Sequence, residues 1–243
     1  MNNQPTILAL DTSTEACSVA LLYRGQKSVL QMTAQREHTK HILPMVDQIL
    51  TEVGIQLSDV DALAFGRGPG SFTGVRISAG VAQGLALGAN LPVIPVSNLL
   101  AMAQAAQRQF GATDVLAAID ARMNEIYFCQ VKLNQAAKEQ GDFEKFFDWQ
   151  YVQPEMVCAP EKLFENGVLF AKPADAVLVG TGWAAYPQLN EFGTPSAITL
   201  PSALDMLDLA LPKYLAGETI SALDIEPIYL RNEVTWKKLP GRE

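Results

Sequence analysis

An apolar run that ends in an aspartate occurs twice in this chain, 109 positions apart. The first run, residues 6–10, leads into Asp11, and the second, residues 115–119, leads into Asp120. A short polar turn and a new strand-like run follow each aspartate. A unit repeated over this distance predicts a duplicated α/β fold, in which two similar lobes each combine a mixed sheet with helices.

Hydrophobic periodicity predicts the element order βββαβαβα in the first repeat. The strand-like runs are residues 6–10, 16–23, 27–33, 62–65 and 92–96. Helical spacing runs from His38 to a stop at Gly54, from residue 72 to about residue 88, and onward from Ser97 or Asn98. We expect Pro44 in or near the first turn of the first helix, where its missing N–H costs least.

The second repeat predicts strands at residues 115–120 and 125–133. We therefore expect a first lobe at residues 1–110, a second lobe at residues 111–231 and a flexible tail at residues 232–243. Residues 134–142 are polar and predict a hairpin excursion.

Composition limits the classes of partner. The chain is 49% hydrophobic and 18% charged, with a formal net charge of −8 and a pI near 4.8. An acidic surface opposes direct binding of a phosphate backbone. The N-terminus lacks a basic region followed by a long hydrophobic segment, and no stretch approaches the ~18 apolar residues of a spanning helix, so we expect a cytoplasmic protein that does not enter a membrane.

The three cysteines, Cys17, Cys129 and Cys158, have no metal-ligand or redox spacing. Two of them lie within strand-like apolar runs, which favours reduced thiols in the core.

A glycine-rich segment, Gly66 to Gly74, joins a strand to a helix. Backbone N–H groups at such a helix start can hold an anion. The segment lacks the Gly-Lys-Ser/Thr ending of a phosphate loop, and no lysine occurs between Lys40 and Lys132, so that class of site is excluded. Tight turns explain the glycines equally well, while Arg67 and Arg76 could meet an anion or a partner carboxylate.

The following helix carries Gly80, Gly84 and Gly88, spaced four apart on one face. Each interior glycine costs ~1 kcal/mol relative to alanine, so this glycine stripe needs a compensating close contact. A helix of the same chain or a second chain could supply it.

An alternative function is that of an actin-like enzyme that binds and hydrolyses ATP. Asp11 occupies the turn where sugar kinases and actin-like ATPases place a carboxylate near metal-bound phosphates, and Gly70 with Ser71, and Gly180 with Gly182, could line the same cleft. Such sites usually carry Asp-x-Gly, and Ser13 here replaces that glycine. The substitution weakens the nucleotide hypothesis.

The only two histidines, His38 and His41, form an i, i+3 pair and suggest a further alternative, a metal-dependent hydrolase. A metal would need additional ligands from elsewhere. No spacing places a base beside a nucleophile, so no catalytic triad is predicted.

Several strings together resemble the TsaB (YeaZ) family. They are Ile-Leu-Ala-Leu-Asp-Thr-Ser from Ile7, Glu37-His38 leading into Leu43-Pro44, Gly-Pro-Gly-Ser-Phe-Thr-Gly-Val-Arg from Gly68, Asp-Ala-Arg from Asp120, and Pro-Ile-Tyr-Leu-Arg from Pro227. The nonapeptide from Gly68 is the most specific of these, and the match extends almost from end to end.

The resemblance implies an actin-like (ASKHA) fold of two ribonuclease-H-like lobes. It also implies a non-catalytic subunit of the machinery that places threonylcarbamoyl on tRNA adenosine, acting on the related transferase TsaD. TsaD-like proteins carry a His-x-x-x-His metal motif directly after the strand equivalent to residues 92–96. This chain reads Ser-Asn-Leu-Leu-Ala from Ser97, so we expect neither a metal nor a catalytic residue there.

The implied partners are TsaD as a heterodimer, the ATPase subunit TsaE, tRNA only through the complex, and a second copy of the chain through an overlapping first-lobe surface. No tightly bound cofactor is expected, and a nucleotide at the interface with TsaD stays open. The residues predicted to bind partners lie on the first two helices and the glycine-rich segment: His38, His41, Leu43, Met45, Val46, Ile49, Arg67, Gly70, Phe72, Thr73, Arg76, Gly80, Gly84 and Gly88.

Overall fold

A computed structural model describes residues 4–34, 36–134, 147–165 and 175–231 of the chain. The predicted tail at residues 232–243, and the predicted hairpin excursion after Asn134, lie outside the described residues.

The first sheet has five strands in the order β3-β2-β1-β4-β5. They are β1 (Ile7–Asp11), β2 (Ala16–Tyr23), β3 (Gln26–Thr33), β4 (Ala62–Gly68) and β5 (Val93–Ser97). Strand β1 pairs antiparallel with β2 and parallel with β4, and β4 pairs parallel with β5. The carboxyl ends of the three parallel strands therefore meet at one edge of the sheet.

The second sheet has four strands in the order β8-β7-β6-β9. They are β6 (Asp114–Arg122), β7 (Glu125–Asn134), β8 (Asp148–Cys158) and β9 (Val177–Val179). Strand β6 pairs antiparallel with β7 and parallel with β9, as β1 does with β2 and β4. The equivalence of the strands that end near Asp11 and Asp120 confirms the predicted α/β duplication with mixed sheets.

In the described ranges five α-helices accompany the sheets: α1 (His38–Val53), α2 (Phe72–Ala89), α3 (Asn98–Phe110), α4 (Gly182–Ala185) and α5 (Ala203–Leu215). Serine hydroxyls cap α2 and α3, through Ser71 and Ser97. Pro44 is the seventh residue of α1, so its expected place in or near the first turn is wrong. The proline is exposed, and water can hydrate the carbonyl that lacks an N–H donor.

The helices and sheets stack in five layers around three apolar clusters. Helices α1 and α2 cover the outer face of the first sheet, where Leu8, Leu10 and Phe65 are fully buried. Helices α3 and α5 lie between the sheets, and 3₁₀ turns with α4 cover the outer face of the second sheet around Phe128 and Trp183. No helix within the described ranges is long and apolar enough to span a membrane.

One helix that follows the second sheet in the chain packs on the first sheet. The predicted division into residues 1–110 and 111–231 does not describe this packing. Helix α5 packs on β1, β2 and β4 of the first sheet, although it follows the second sheet in the chain. Farther on, Ile220 pairs with Val93 of β5, and the Ile228 N–H donates to the Arg67 carbonyl. Helix α5 and Ile220, both expected in the second lobe, contact the first sheet, whereas Arg231 contacts Glu125 of the second sheet.

Candidate partner-binding surface and interlobe cleft

The glycine stripe of α2 faces outward. Gly80, Gly84 and Gly88 are all exposed, and a Cβ built at any of them meets no described heavy atom within 4 Å. The stripe therefore makes no close contact with the described part of this chain. Of the two explanations left open by the sequence, packing of these glycines against residues 4–34, 36–134, 147–165 and 175–231 is excluded.

Large apolar side chains accompany the stripe. Phe72, at the start of α2, is 67% exposed, and Leu87, three residues after Gly84, is 53% exposed. Leu43 of α1 is also exposed, as are Thr73 and Gly80 of α2. The glycine stripe forms a shallow furrow on α2, because its residues have no side chains. Exposed apolar groups beside such a furrow are typical of a surface that packs against another helix.

Arg76 lies one turn before the stripe and is held by aromatic rings. Its guanidinium carbon stands 3.3 Å from the ring centre of Phe72 and 4.7 Å from that of Tyr229, and its Nη1 donates to the Phe72 carbonyl at 2.7 Å. Arg76 has no carboxylate within ion-pair distance in the described ranges. An oriented, exposed cation of this kind can receive a carboxylate of a partner.

Several residues predicted to bind partners have other roles in the structure. Met45, Val46 and Ile49 are buried in the apolar cluster beneath α1, because they form the face of the helix that meets the first sheet. They cannot contact a partner without opening the core, so their assignment is corrected.

The polar members of the predicted set also make contacts within the chain. Arg67 Nη2 donates to both carboxylate oxygens of Glu155 on β8, at 3.2 and 3.1 Å, which links the two lobes. His38 Nε2 lies 2.8 Å from the Thr14 carbonyl, whereas the His41 ring lies 3.7 Å from the Glu37 carboxylate. The two histidines therefore do not converge on one ligand.

A buried polar network occupies the edge where β1, β4 and β5 end. Asn98 Nδ2 donates to Asp11 Oδ1 at 2.8 Å and to Ser13 Oγ at 2.5 Å, while Asn98 Oδ1 accepts from the Gly68 N–H at 2.7 Å. Asp11 also accepts from the Ser13 N–H and hydroxyl. Burial raises the pKa of Asp11 to about 6, against the opposing effect of these donors.

This network includes Asn98 of the Ser97–Ala101 segment, where the family resemblance implies a metal motif in TsaD. Ser97 caps α3, Asn98 binds Asp11, and Leu99 and Ala101 are buried among apolar groups. Across the described residues no three His, Cys, Asp or Glu side chains are grouped to hold a metal. The sequence identified Asn98 only as a possible helix cap, because its bond to Asp11 spans 87 positions and leaves no local pattern.

A cavity of about 930 Å³ opens between the lobes. The turn after β1, the end of β6, the start of α2 and the segment 228–231 line it. Gly70 and Ser71 line this cavity, whereas Asp11, Gly180 and Gly182 do not. Gly180 and Gly182 instead pack against Ala118: a Cβ at Gly180 would collide with the Ala118 carbonyl oxygen, and a Cβ at Gly182 would lie in tight contact, 3.0 Å from Ala118. The predicted nucleotide residues therefore do not converge.

The segment 228–231, which the sequence singled out only by resemblance, connects the lobes. Tyr229 contacts the Phe72 ring, with 6.5 Å between ring centres. Arg231 Nε donates to Glu125 Oε2 at 2.8 Å, and its Nη2 donates to the Ala121 carbonyl at 3.0 Å. Through these contacts, the segment 228–231 connects the start of α2 to the residues around the turn between β6 and β7.

Fold and site together define a two-lobed actin-like protein with an exposed helical surface. The family model described as "TsaD: tRNA N6-adenosine threonylcarbamoyltransferase" matches residues 26–236. Among curated proteins, a Haemophilus influenzae "tRNA threonylcarbamoyladenosine biosynthesis protein TsaB" is 62% identical, covering 98% of both chains. The Escherichia coli protein of the same description is 50% identical over 98% of this chain and 99% of its own.

The chain belongs to the TsaB (YeaZ) family. Among solved structures, YeaZ from Pseudomonas aeruginosa is 42% identical with a TM-score of 0.77, covering 92% of this chain and all of that one. A second Pseudomonas aeruginosa structure, described as similar to peptidase YeaZ, is 43% identical with a TM-score of 0.81, covering 94% of this chain and all of that one. The predicted family and actin-like fold are thereby confirmed.

Proposed function

We propose that this chain is a non-catalytic subunit of the cytoplasmic machinery that forms threonylcarbamoyladenosine in tRNA, and that it binds a TsaD transferase through α1 and α2. The names of the curated relatives support the pathway. The observation that supports the binding mode is the outward-facing glycine stripe of α2.

The stripe has an energetic cost in the isolated chain. Gly80 and Gly84, in the interior of α2, cost ~1 kcal/mol each relative to alanine, and Gly88 lies in the last turn. Nothing in the described residues packs on the three glycines to offset that cost. A partner helix that enters the furrow would gain close backbone contact. Leu43, Phe72 and Leu87 would add apolar area toward the ~1,000 Å² that a specific interface needs.

The polar network at Asp11 supports a role without catalysis. Its carboxylate is buried and bonded to Asn98, so it is not free to hold a metal-bound phosphate. Docking of this chain would instead order the TsaD site or complete a surface for TsaE and tRNA. The net charge of −8 supports contact with tRNA through the complex.

The same helical surface is proposed to serve a homodimer. Because one furrow accepts one helix pair at a time, a homodimer and a TsaD heterodimer would compete. A nucleotide at the interface with TsaD is compatible with binding through α1 and α2. We would expect it beside the exposed start of α2.

Replacement of Gly84 by leucine tests the binding mode. We expect Gly84→Leu to reduce co-purification with TsaD at least tenfold, since a bulky side chain would fill the furrow, while the isolated chain stays folded. Gln109→Leu adds the same side chain at an exposed position of α3 and serves as the matched control. Circular dichroism and a thermal melt of each variant report the fold.

Normal recovery of TsaD with folded Gly84→Leu would place the interface elsewhere. Loss of recovery with both variants would show that the effect is not specific to the stripe.

A further inference from the structure

A second cavity, of about 510 Å³, lies between α5, the end of β5 and the start of β8. It shares no lining residue with the cleft described above. Two basic residues, Lys213 on α5 and Arg67 on β4, line it together with two acidic residues, Asp148 and Glu218. Phe147 and Leu209 contribute apolar wall.

The Lys213 amine has few hydrogen-bond acceptors within the described residues. Its Nζ donates to the Pro95 carbonyl at 3.4 Å, a long contact, and no carboxylate in the described ranges lies within ion-pair distance of it. An ammonium group has three N–H donors, so burial here disfavours the charged form.

The charged groups around Lys213 do not reverse the preference for the neutral amine. Loss of hydration lowers the pKa of Lys213, and the neighbouring Arg67 guanidinium lowers it further. Glu218 and Glu155 act in the opposite direction and more weakly. Asp148 also lines the cavity. The amine is thus neutral more often than that of an exposed lysine at the same pH.

Arg67 lines the same cavity and uses only one of its guanidinium nitrogens within the described residues. Both of its contacts to Glu155 use Nη2. Its Nε and Nη1 have no acceptor among the described residues, and planar N–H groups of this kind suit a phosphate. A nucleophilic amine and a phosphate-binding guanidinium therefore line one small cavity.

We propose that Lys213 is a site of covalent acylation by small acyl phosphates that enter this cavity. The lone pair of the neutral Nζ attacks the carbonyl carbon, and the bond from that carbon to the phosphate oxygen breaks. Inorganic phosphate leaves with the bonding electron pair, beside Arg67, and the excess proton on nitrogen passes to phosphate or water. The product is an amide, and the step needs no oxidant or reductant. The inference does not depend on the proposed partner role.

Acetyl phosphate is the probe. The full-length chain is incubated with it, and mass spectrometry measures the initial rate of acetylation at Lys213 and at Lys162, an exposed lysine that serves as the internal control. We expect Lys213 to react about threefold faster or more at pH 7.5, and the advantage to shrink near pH 10, where exposed lysines also lose their protons. Equal or slower reaction at Lys213 at pH 7.5 would overturn the proposal.

Arg67→Gln separates this mechanism from simple exposure. The variant removes the neighbouring positive charge and the phosphate donors, so the Lys213 to Lys162 rate ratio should fall toward one while a thermal melt confirms the fold. An unchanged ratio in the folded variant contradicts the role of Arg67. If Arg67→Gln does not fold, the pH dependence of the wild-type ratio decides alone.

Discussion

At the scale of single residues, Asp11 illustrates what a local pattern can and cannot predict. Its place at the end of the first strand followed from the apolar run before it. Its environment depends on Asn98, at the start of α3, and on Gly66 of β4. A Cβ at position 66 would collide with the Asp11 carboxylate, so this glycine serves a close approach that sequence spacing does not reveal.

The raised pKa of Asp11 makes the stability of the protein depend on pH. The ordinary value is 3.8 and the folded value is about 6, so the folded state binds more protons between these limits. The free energy of unfolding should therefore fall as pH rises from about 4 to 6, by on the order of 2 kcal/mol from this group. Urea unfolding at pH 4 and pH 7 measures the change.

Asp11→Asn removes the titrating group, and Asp47→Asn, at an exposed position of α1, is the control. The pH dependence should weaken in the first variant and persist in the second. An identical pH dependence in all three proteins would mean that Asp11 titrates normally in the fold.

At the scale of secondary structure elements, the sequence predicted the helices and strands of the first repeat closely because their signals are local, whereas β8, β9, α4 and α5 were not predicted. The bounds of α1 and β2 agree with prediction, and α2 extends one residue beyond it. The same periodicity could not say whether Gly74 and Gly84, both in α2, face the same surroundings. Gly74 is buried against Thr12 and Ser13, whereas Gly84 is open.

This difference predicts opposite effects of one substitution at two positions of α2. Gly84→Ala should stabilise the isolated chain by ~0.5–1 kcal/mol, because alanine loses less backbone entropy in a helix and its methyl group meets nothing. Gly74→Ala should destabilise it by more than ~1 kcal/mol, because its methyl group would collide with the Thr12 carbonyl. Urea unfolding of the two variants and the wild type makes the comparison. Destabilisation by Gly84→Ala would show that the stripe is packed in the free chain.

At the scale of the whole molecule, the duplication was predictable and the packing of α5 on the first sheet was not. The repeat of Asp11 and Asp120 indicated two lobes, because each strand carries its own local pattern. The packing of α5 on β1 joins parts of the chain that are distant in sequence, and an amphipathic pattern does not say which element a helix face will contact. The consequence is that the lobes share a core and are also joined by ion pairs.

Two interlobe ion pairs differ in burial, and this difference predicts their contributions. The Arg67 and Glu155 side chains are 21% and 9% exposed, whereas those of Arg122 and Glu15 are 74% and 49% exposed. Glu155→Gln should lower the free energy of unfolding by about 1–3 kcal/mol, since it leaves the Arg67 charge partly buried without a counterion. Glu15→Gln, the same chemical change in the exposed pair, should cost less than about 0.5 kcal/mol, because water and salt screen that pair. Urea unfolding at low and at high salt measures both variants. Equal losses would mean that the Arg67–Glu155 pair is no better sheltered from water than the exposed pair.

The Glu155→Gln variant also has a local effect that can be measured. Burial, and then the Glu155 carboxylate, raise the pKa of Tyr151, so loss of the Glu155 charge should lower that pKa. An ultraviolet titration of the tyrosines measures the shift, and no shift would mean that the carboxylate does not face Tyr151 in solution.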